Sequence, residues 1–287
     1  MLSKEQVDQY HSEGYVVARS LIDEVALDQL RELVSEMLVG AEELTEHNEK
    51  FDLEPSHKAS EPKVRRIKTP HKWHSFFWDL IRSPRLVSCL TDLLGSDVRL
   101  HGSKLNLKSS QEGSAVEWHQ DWAFYPHSND HVLAVGLMMD DMTLDNGPLL
   151  VVPGSHRVNK VWNHHQDGYF CGAIPASQNR DLDFEGAIPC LGKAGDCSFH
   201  HVRLVHGSAQ NTSQIPRRLM LYECAAADAW PYLKFSDLEE FNGRMIVGEP
   251  TLEPRSTDVP IRMPFPEAKR QGSIYENQTS AADRFFT

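Results

Sequence analysis

Cysteine is scarce and unpaired in pattern. Cys89, Cys171, Cys190, Cys197 and Cys224 are odd in number, and no CxxC occurs. This excludes a disulfide scaffold or a zinc ribbon and fits a reducing compartment. Long apolar runs are also missing: nothing approaches the ~18 residues of a membrane span, and the opening MLSKEQVDQYHSEGY lacks a signal-peptide core. A soluble, cytoplasmic protein without a membrane partner is expected. Basic residues are in deficit, 29 against 41 acidic, for a net charge of −12. Such a field repels polyanions, so nucleic acid is not an expected partner. No internal repeat or low-complexity tract is present. What the chain does have is 287 residues, 40% hydrophobic and 24% charged, enough for one large globular domain, and 15 histidines.

The apolar positions Leu2, Val7 and Tyr10, then Leu27, Leu30, Val34 and Leu38, recur at helical spacing, with YVV (15–17) between them as a strand. The unit is helix, strand, helix, the second helix capped by Asp23. Residues 41–72 are heavily charged and read as a long surface excursion. FFWDLIRSPRLVSCLTDLLG predicts two short helices divided at Pro84 and stopped at Gly95. After Gly95 the texture becomes short runs of strand formers broken by Gly, Pro and Asn, which predicts an antiparallel sandwich or barrel. Asn146-Gly147 is a hairpin signal between LMMDDMTLD and PLLVVPG. Residues 157–193 read as an insertion, and the proline-rich stretch from Trp230 onward as an extended tail or lid.

The sharpest chemical feature is WHQDWAF. On a strand, residues i and i+2 share a face, so His119 and Asp121 project together and supply half of a metal site. Two histidines and one carboxylate leave positions open on an octahedral ferrous ion for a co-substrate and dioxygen, though the same donors also serve zinc. The candidate third ligand is His206 in VRLVHGSAQNTSQIPRRLML. Arg217 opens the next strand-like run, and a hairpin carrying both would place a metal ligand and a planar cation suited to a carboxylate in one cavity.

Four segments, LSKEQVDQYHSEGYVV, WHQDWAFYP, LDNGPLLVVPGSH and HGSAQNTSQIPRR, together resemble the phytanoyl-CoA dioxygenase family of iron(II)- and 2-oxoglutarate-dependent oxygenases, over most of residues 1 to about 228. The resemblance implies a mainly β fold with peripheral helices, a double-stranded β-helix or jelly-roll barrel related to the cupins. It implies one domain over 1–287: helical support over 1–95, barrel over about 96–228, C-terminal extension or lid over 229–287. His119, Asp121 and His206 become the iron ligands, Arg217 the clamp on the distal carboxylate of 2-oxoglutarate, with Ser208 assisting it and Asn106 in KLNLK helping position the co-substrate. The implied enzyme is a hydroxylase-type dioxygenase. It oxidises an unactivated C–H bond of a small molecule with Fe(II), 2-oxoglutarate and O2, releases succinate and CO2, and draws on ascorbate as reductant. Retention of Asp121, which related halogenases replace with a small residue, points to oxygenation. Where the family's phytanoyl-CoA enzyme has an aromatic residue this chain has Leu137, which leaves co-substrate packing and substrate identity open. The competing reading is a catalytically inactive sensor-type barrel that binds 2-oxoglutarate or metal.

Arg65 and Arg66, in the basic run 58–72, are candidates for reaching an anionic substrate group, against a solvated loop paired with Glu42–Glu49. Trp122 and Phe124 are candidate substrate residues and equally candidate core. His127, His131, His164, His165, His200 and His201 read as surface or structural. A monomer or homodimer is expected.

Overall fold

A computed structural model describes residues 1–175, 177, 181–233, 235, 237–270 and 272–286. Ser3 caps α1 (Lys4–Glu13) in a reciprocal box with Gln6, and Gly14 ends it at φ 84°. A Cβ on Gly14 would lie 2.5 Å from His156 Nδ1, so only glycine fits that turn. Strand β1 (Tyr15–Ala18) leads to α2 (Glu24–Val39), whose first turn is capped by the Asp23 side chain. Next come β2 (Phe51–Leu53), β3 (Val64–Lys68), α3 (Phe76–Ile81) and α4 (Pro84–Leu94), with Pro84 at the first turn of α4 where its missing N–H costs nothing. The helix, strand, helix unit and the division at Pro84 thus follow the sequence reading. The remaining strands are β4 (Val98–Lys108), β5 (Val116–His119), β6 (Val132–Met138), β7 (Leu150–Val151), β8 (His165–Gln166), β9 (Tyr169–Phe170), β10 (Ile188–Pro189), β11 (Cys197–His201), β12 (His206–Ser208) and β13 (Arg217–Ala226). The chain ends with α5 (Leu238–Gly243), β14 (Met245–Val247) and α6 (Ile274–Gln278).

An eight-stranded antiparallel sheet runs β1-β11-β6-β13-β4-β3-β2 with β14 also on β4; a four-stranded sheet runs β10-β7-β12-β5; β8 and β9 pair by themselves. One face of the large sheet is covered by helices. Leu30 and Val34 of α2, Phe77 and Ile81 of α3, and Leu86 and Leu90 of α4 pack with Leu100, Leu105, Val135, Leu137, Phe199, Met220 and Tyr222 from the sheet. Each such fully buried side chain contributes about 1.5–3 kcal/mol of apolar transfer. The Tyr222 hydroxyl donates to the Phe77 carbonyl (2.8 Å), fastening α3 to β13. The alternate residues of β4, β6, β11 and β13 face the four-stranded sheet, and the cavities lie between the two sheets.

The expected double-stranded β-helix barrel is not what the structure contains. The fold is mixed α/β with several antiparallel sheets, and none of them closes on itself. A local cause is visible at the β5 edge of the smaller sheet. There the Glu117 N–H donates to Gln278 Oε1 (2.9 Å) and the Glu117 carbonyl accepts from Gln278 Nε2 (3.3 Å), so a side-chain amide caps the edge in place of another strand.

Three local expectations also change. Residues 41–72 are not simply a surface excursion: β2 and β3 form an antiparallel pair that extends the large sheet, with Phe51 and Ile67 buried. Asn146-Gly147 does not join a hairpin, because β6 and β7 belong to different sheets. The turn, with Asn146 Oδ1 accepting from the Thr143 N–H, carries the chain across. The segment after Trp230 is not wholly extended, since β14 pairs with β4 beyond the span of β4 that pairs with β3. Among the described residues the five cysteines are buried and free, and no helix is long and apolar enough to cross a membrane.

Candidate metal centre

His119 ends β5 and His206 opens β12, and the antiparallel pairing sets them directly opposite each other, with ring centroids 4.1 Å apart. Asp121 is not on the strand. β5 stops at His119, Gln120 is extended, and Asp121 begins a 3-10 turn that swings its carboxylate back to within 3.8 Å of His119 Nε2. His119 and Asp121 are brought together as the i, i+2 spacing predicts, but through a strand followed by a turn. One ligand atom from each of His119, Asp121 and His206 lies within 4.8 Å of the others, and all three residues are buried.

The two imidazoles are set for coordination. Nδ1 of His119 donates to the Glu117 carbonyl (2.8 Å) and Nδ1 of His206 to the Leu204 carbonyl (2.9 Å). A carbonyl only accepts, so each proton sits on Nδ1 and each Nε2 keeps its lone pair. Burial, reinforced by His206, holds His119 well below the usual imidazole range, and burial with His200 beside it brings His206 down to about 4. Burial alone would push the Asp121 carboxyl up. Lys104, with His200 and the two ligand histidines close by, outweighs it and holds the group well below the ordinary carboxylate value. At neutral pH the site therefore presents two neutral nitrogen donors and one carboxylate, a set that fits a ferrous ion with positions left for exogenous ligands.

A narrow cavity of about 50 Å³ runs from this triad to Arg217, lined by Asn106 and Leu219 from the large sheet and by Val116 and Ser208 from the small one. Arg217 is buried, and its Nε and Nη2 donate to the Gly147 carbonyl (3.1 and 2.5 Å). Burial lowers its guanidinium to about 10, so it stays charged at neutral pH. Gly147 holds this acceptor in a left-handed turn, φ 72°, where a Cβ would meet the Ala209 carbonyl at 2.5 Å. Asn106 Oδ1 accepts from Arg66 Nε (3.1 Å), since β3 pairs Arg66 opposite Asn106.

A larger cavity of about 440 Å³ opens beyond Asp121, walled by Phe124, Tyr125 and Phe170 and charged by Arg66, Lys104, Glu223 and Glu267. Phe124 meets the His119 ring edge to face at 5.8 Å. Lys104 Nζ lies 2.8 Å from Glu223 and 3.9 Å from Asp121.

The sequence-derived candidates divide by position. His119, Asp121, His206, Arg217, Ser208, Asn106 and Arg66 converge on the inner cavity, and Phe124 on the outer one. Trp122 turns into the core with Val132, Val202 and Ala225, its indole N–H donating to the Pro260 carbonyl (2.9 Å). Arg65 is ion-paired with Glu276 and lines a separate surface pocket. Among the described residues no ion pair joins the basic run to Glu42–Glu49: Lys63 meets Glu61 and Glu112, and Lys68 meets Asp52. Leu137 faces the helix-side core, away from both cavities, so the departure from the family pattern there does not bear on co-substrate packing. Three residues near the centre escaped the sequence reading. Lys104 shares the face of Asn106 on β4, and Glu223 that of Arg217 on β13; strand alternation carried two or six residues further would have found them. His200, read as surface or structural, is buried with its Nε2 3.8 Å from Asp121 and its ring 4.6 Å from that of His206. Its neighbour His201 points the other way, toward Asp130, as adjacent strand residues must.

The family model described as phytanoyl-CoA dioxygenase matches residues 10–219. A probable alpha-ketoglutarate-dependent hypophosphite dioxygenase of Stutzerimonas stutzeri is 35% identical, over 98% of this chain and 99% of that protein. An ectoine dioxygenase of Bordetella bronchiseptica is 29% identical over 75% of this chain and 73% of that protein. The crystal structure of EctD from S. alaskensis with 2-oxoglutarate and 5-hydroxyectoine shares the fold, with a TM-score of 0.69 at 23% identity, covering 91% of this chain and 88% of that one.

Proposed function

The chain belongs to the phytanoyl-CoA dioxygenase family, and from that premise we propose which residues run its Fe(II)- and 2-oxoglutarate-dependent oxidation of a small molecule. His119, Asp121 and His206 hold the iron. Arg217 takes the distal carboxylate of 2-oxoglutarate, with Ser208 beside it and Asn106 steadied by Arg66. The observation that carries this assignment is the convergence of three buried donors, two with Nδ1 already committed, at one end of a cavity whose other end is a buried guanidinium. When bound, iron and the keto acid supply the activation of dioxygen and the oxidation of the substrate, with succinate and CO2 as by-products. The apolar side chains Val116, Leu149, Leu219 and Leu221 keep water from the co-substrate. Ascorbate serves as an external reductant. The 287 residues act as one domain, which the joining of β14 to β4 and of Gln278 to β5 supports.

The substrate is a small organic anion hydroxylated at a C–H bond. Arg66 and Lys104 face the outer cavity together with Glu223 and Glu267; Lys104 is paired with Glu223, and the Arg66 guanidinium is the cation there that an anionic group can meet. Its volume, about 440 Å³, falls in the ~300–1,000 Å³ range of small-molecule sites. A second reading, oxidation of hypophosphite itself, is favoured by the full-length relative; the cavity is far larger than a three-heavy-atom anion fills. The test is oxygen-dependent succinate release across hypophosphite, small phosphonates and small carboxylates. A phosphonate or carboxylate turned over in preference to hypophosphite supports the first reading. Succinate release that no compound stimulates, with 2-oxoglutarate still bound, would leave a sensor in place of an enzyme.

A further inference from the structure

Strand β11 sends Cys197 and Phe199 into the helix-side core, and His200 projects the other way, into the inner cavity. The residue is 2% exposed, and its ring centroid lies 4.6 Å from that of His206. Neither ring nitrogen has a hydrogen-bond partner. The ligand histidines differ, since each is held at Nδ1 by the carbonyl two residues before it. No carbonyl fixes the tautomer of His200, so its proton is free to sit on Nε2.

A neutral imidazole always carries one N–H, and burying it without an acceptor is costly. Among the described residues Asp121 is the one carboxylate that lines this cavity. Its two oxygens face different neighbours. Oδ1 lies 3.8 Å from His119 Nε2 and 3.9 Å from Lys104 Nζ, whereas Oδ2 lies 3.8 Å from His200 Nε2. The oxygen on the side of the ligand histidine is the one placed for a metal, and the other is turned toward an uncommitted ring. At 3.8 Å that pair is not hydrogen-bonded. Asp121 stands in a 3-10 turn outside the strand ladder, and a closure of about 1 Å brings a donor on Nε2 to Oδ2.

We infer that His200 is a positioning residue of the metal centre: its Nε2–H donates to Oδ2 of Asp121 and keeps the carboxylate on the metal through Oδ1 alone. A carboxylate bound through one oxygen leaves the remaining positions of an octahedral ion to exogenous ligands. Outer groups that orient a ligand in this way tune metal affinity. The inference rests on reading His119, Asp121 and His206 as the metal ligands.

The test is anaerobic titration of Mn(II), standing in for Fe(II), into the full-length protein, with free Mn(II) read by electron paramagnetic resonance. The chains compared are the wild type, His200→Phe, His200→Gln and His206→Ala. Phenylalanine keeps a ring in the cavity and removes both nitrogens, whereas glutamine supplies an N–H on a flexible side chain. His200→Leu repeats the comparison should phenylalanine crowd His206. The expected result for His200→Phe is a dissociation constant raised about ten- to a hundredfold, the cost of losing a group that orients a ligand. His200→Gln should recover to within about fivefold of wild type. The thermal midpoint of the metal-free protein should not fall in His200→Phe, since the lost nitrogens had no partner there. Dissociation constants within about twofold of wild type in both variants overturn the inference. Equal weakening in both overturns it too, because the shape of the imidazole and not its N–H would then matter. If His206→Ala binds Mn(II) as tightly as the wild type, the reading beneath it fails as well.

Discussion

Replacing Arg217 with methionine separates stability from function. In the unliganded protein this guanidinium is buried, and its charge is tolerated at a cost. Burial lowers its pKa from 12.5 to about 10. At about 1.4 kcal/mol per pH unit that corresponds to roughly 3 kcal/mol. The sign is unfavourable: a cation whose folded value is depressed destabilises the fold at every pH where both states are charged, neutral pH included. Methionine removes that cost and fills much of the volume. It also strips the Gly147 carbonyl of two donors, a loss of about 1–3 kcal/mol. The two effects nearly cancel, so Arg217→Met should unfold in urea within about 2 kcal/mol of wild type. Binding of 2-oxoglutarate behaves otherwise. Losing two charge-assisted hydrogen bonds at about 1.5–3 kcal/mol each weakens binding by roughly 10²- to 10⁴-fold. Urea denaturation of the metal-free protein and anaerobic calorimetry of the Mn(II) form read the two quantities independently. A variant destabilised by more than about 4 kcal/mol that still binds 2-oxoglutarate normally would refute the reasoning, because Arg217 would then be a structural residue.

The remaining predictions concern charge. Lys104→Met leaves Glu223 partly buried without its partner and should cost about 3 kcal/mol or more; adding Glu223→Met should recover most of that in a double-mutant cycle, while substrate KM stays raised in both variants. An unrecovered double variant would mean that the pair is not the source of the loss. Acid should destabilise the protein before its carboxylates titrate. Burial pushes His164 to about 4, and burial with His101 nearby pushes His127 to about 3. Their stabilising contribution is complete above the unfolded value near 6.5 and is lost as pH falls toward those folded values, at about 1.4 kcal/mol per pH unit for each. Urea midpoints at pH 7, 6 and 5 should fall accordingly; a flat profile over that window would show that these rings are protonated in the fold.

How far the sequence reached depended on how local each feature is. His119 and Asp121 are two residues apart, and their chemistry was readable whether the backbone between them was strand or turn. His206 and Arg217 were within reach because one segment carries both. Lys104 and Glu223 obey the same alternation as Asn106 and Arg217, but their importance comes from a contact between two strands 119 residues apart, which no local pattern encodes. The expectation of a closed barrel failed for a related reason. Short strands and turns announce antiparallel pairing, but closure is decided at the edges, and at β5 the edge is taken by Gln278. Asn146-Gly147 shows the limit from the other side: it specified a tight turn with a left-handed glycine correctly, yet it could not say that the flanking strands part into different sheets.

The central claim is that the three buried ligands and the arginine-ended cavity form one centre for iron and 2-oxoglutarate. Its most direct test is anaerobic titration of ferrous iron into the protein with 2-oxoglutarate present, followed by visible absorption, for the wild type and His206→Ala. The account predicts a weak charge-transfer band in the wild type that saturates at about one iron per chain, a single-site occupancy of the kind the two-histidine, one-carboxylate set supports, and no such band in the variant. A band that survives His206→Ala unchanged, or a wild type that never develops one, would contradict it.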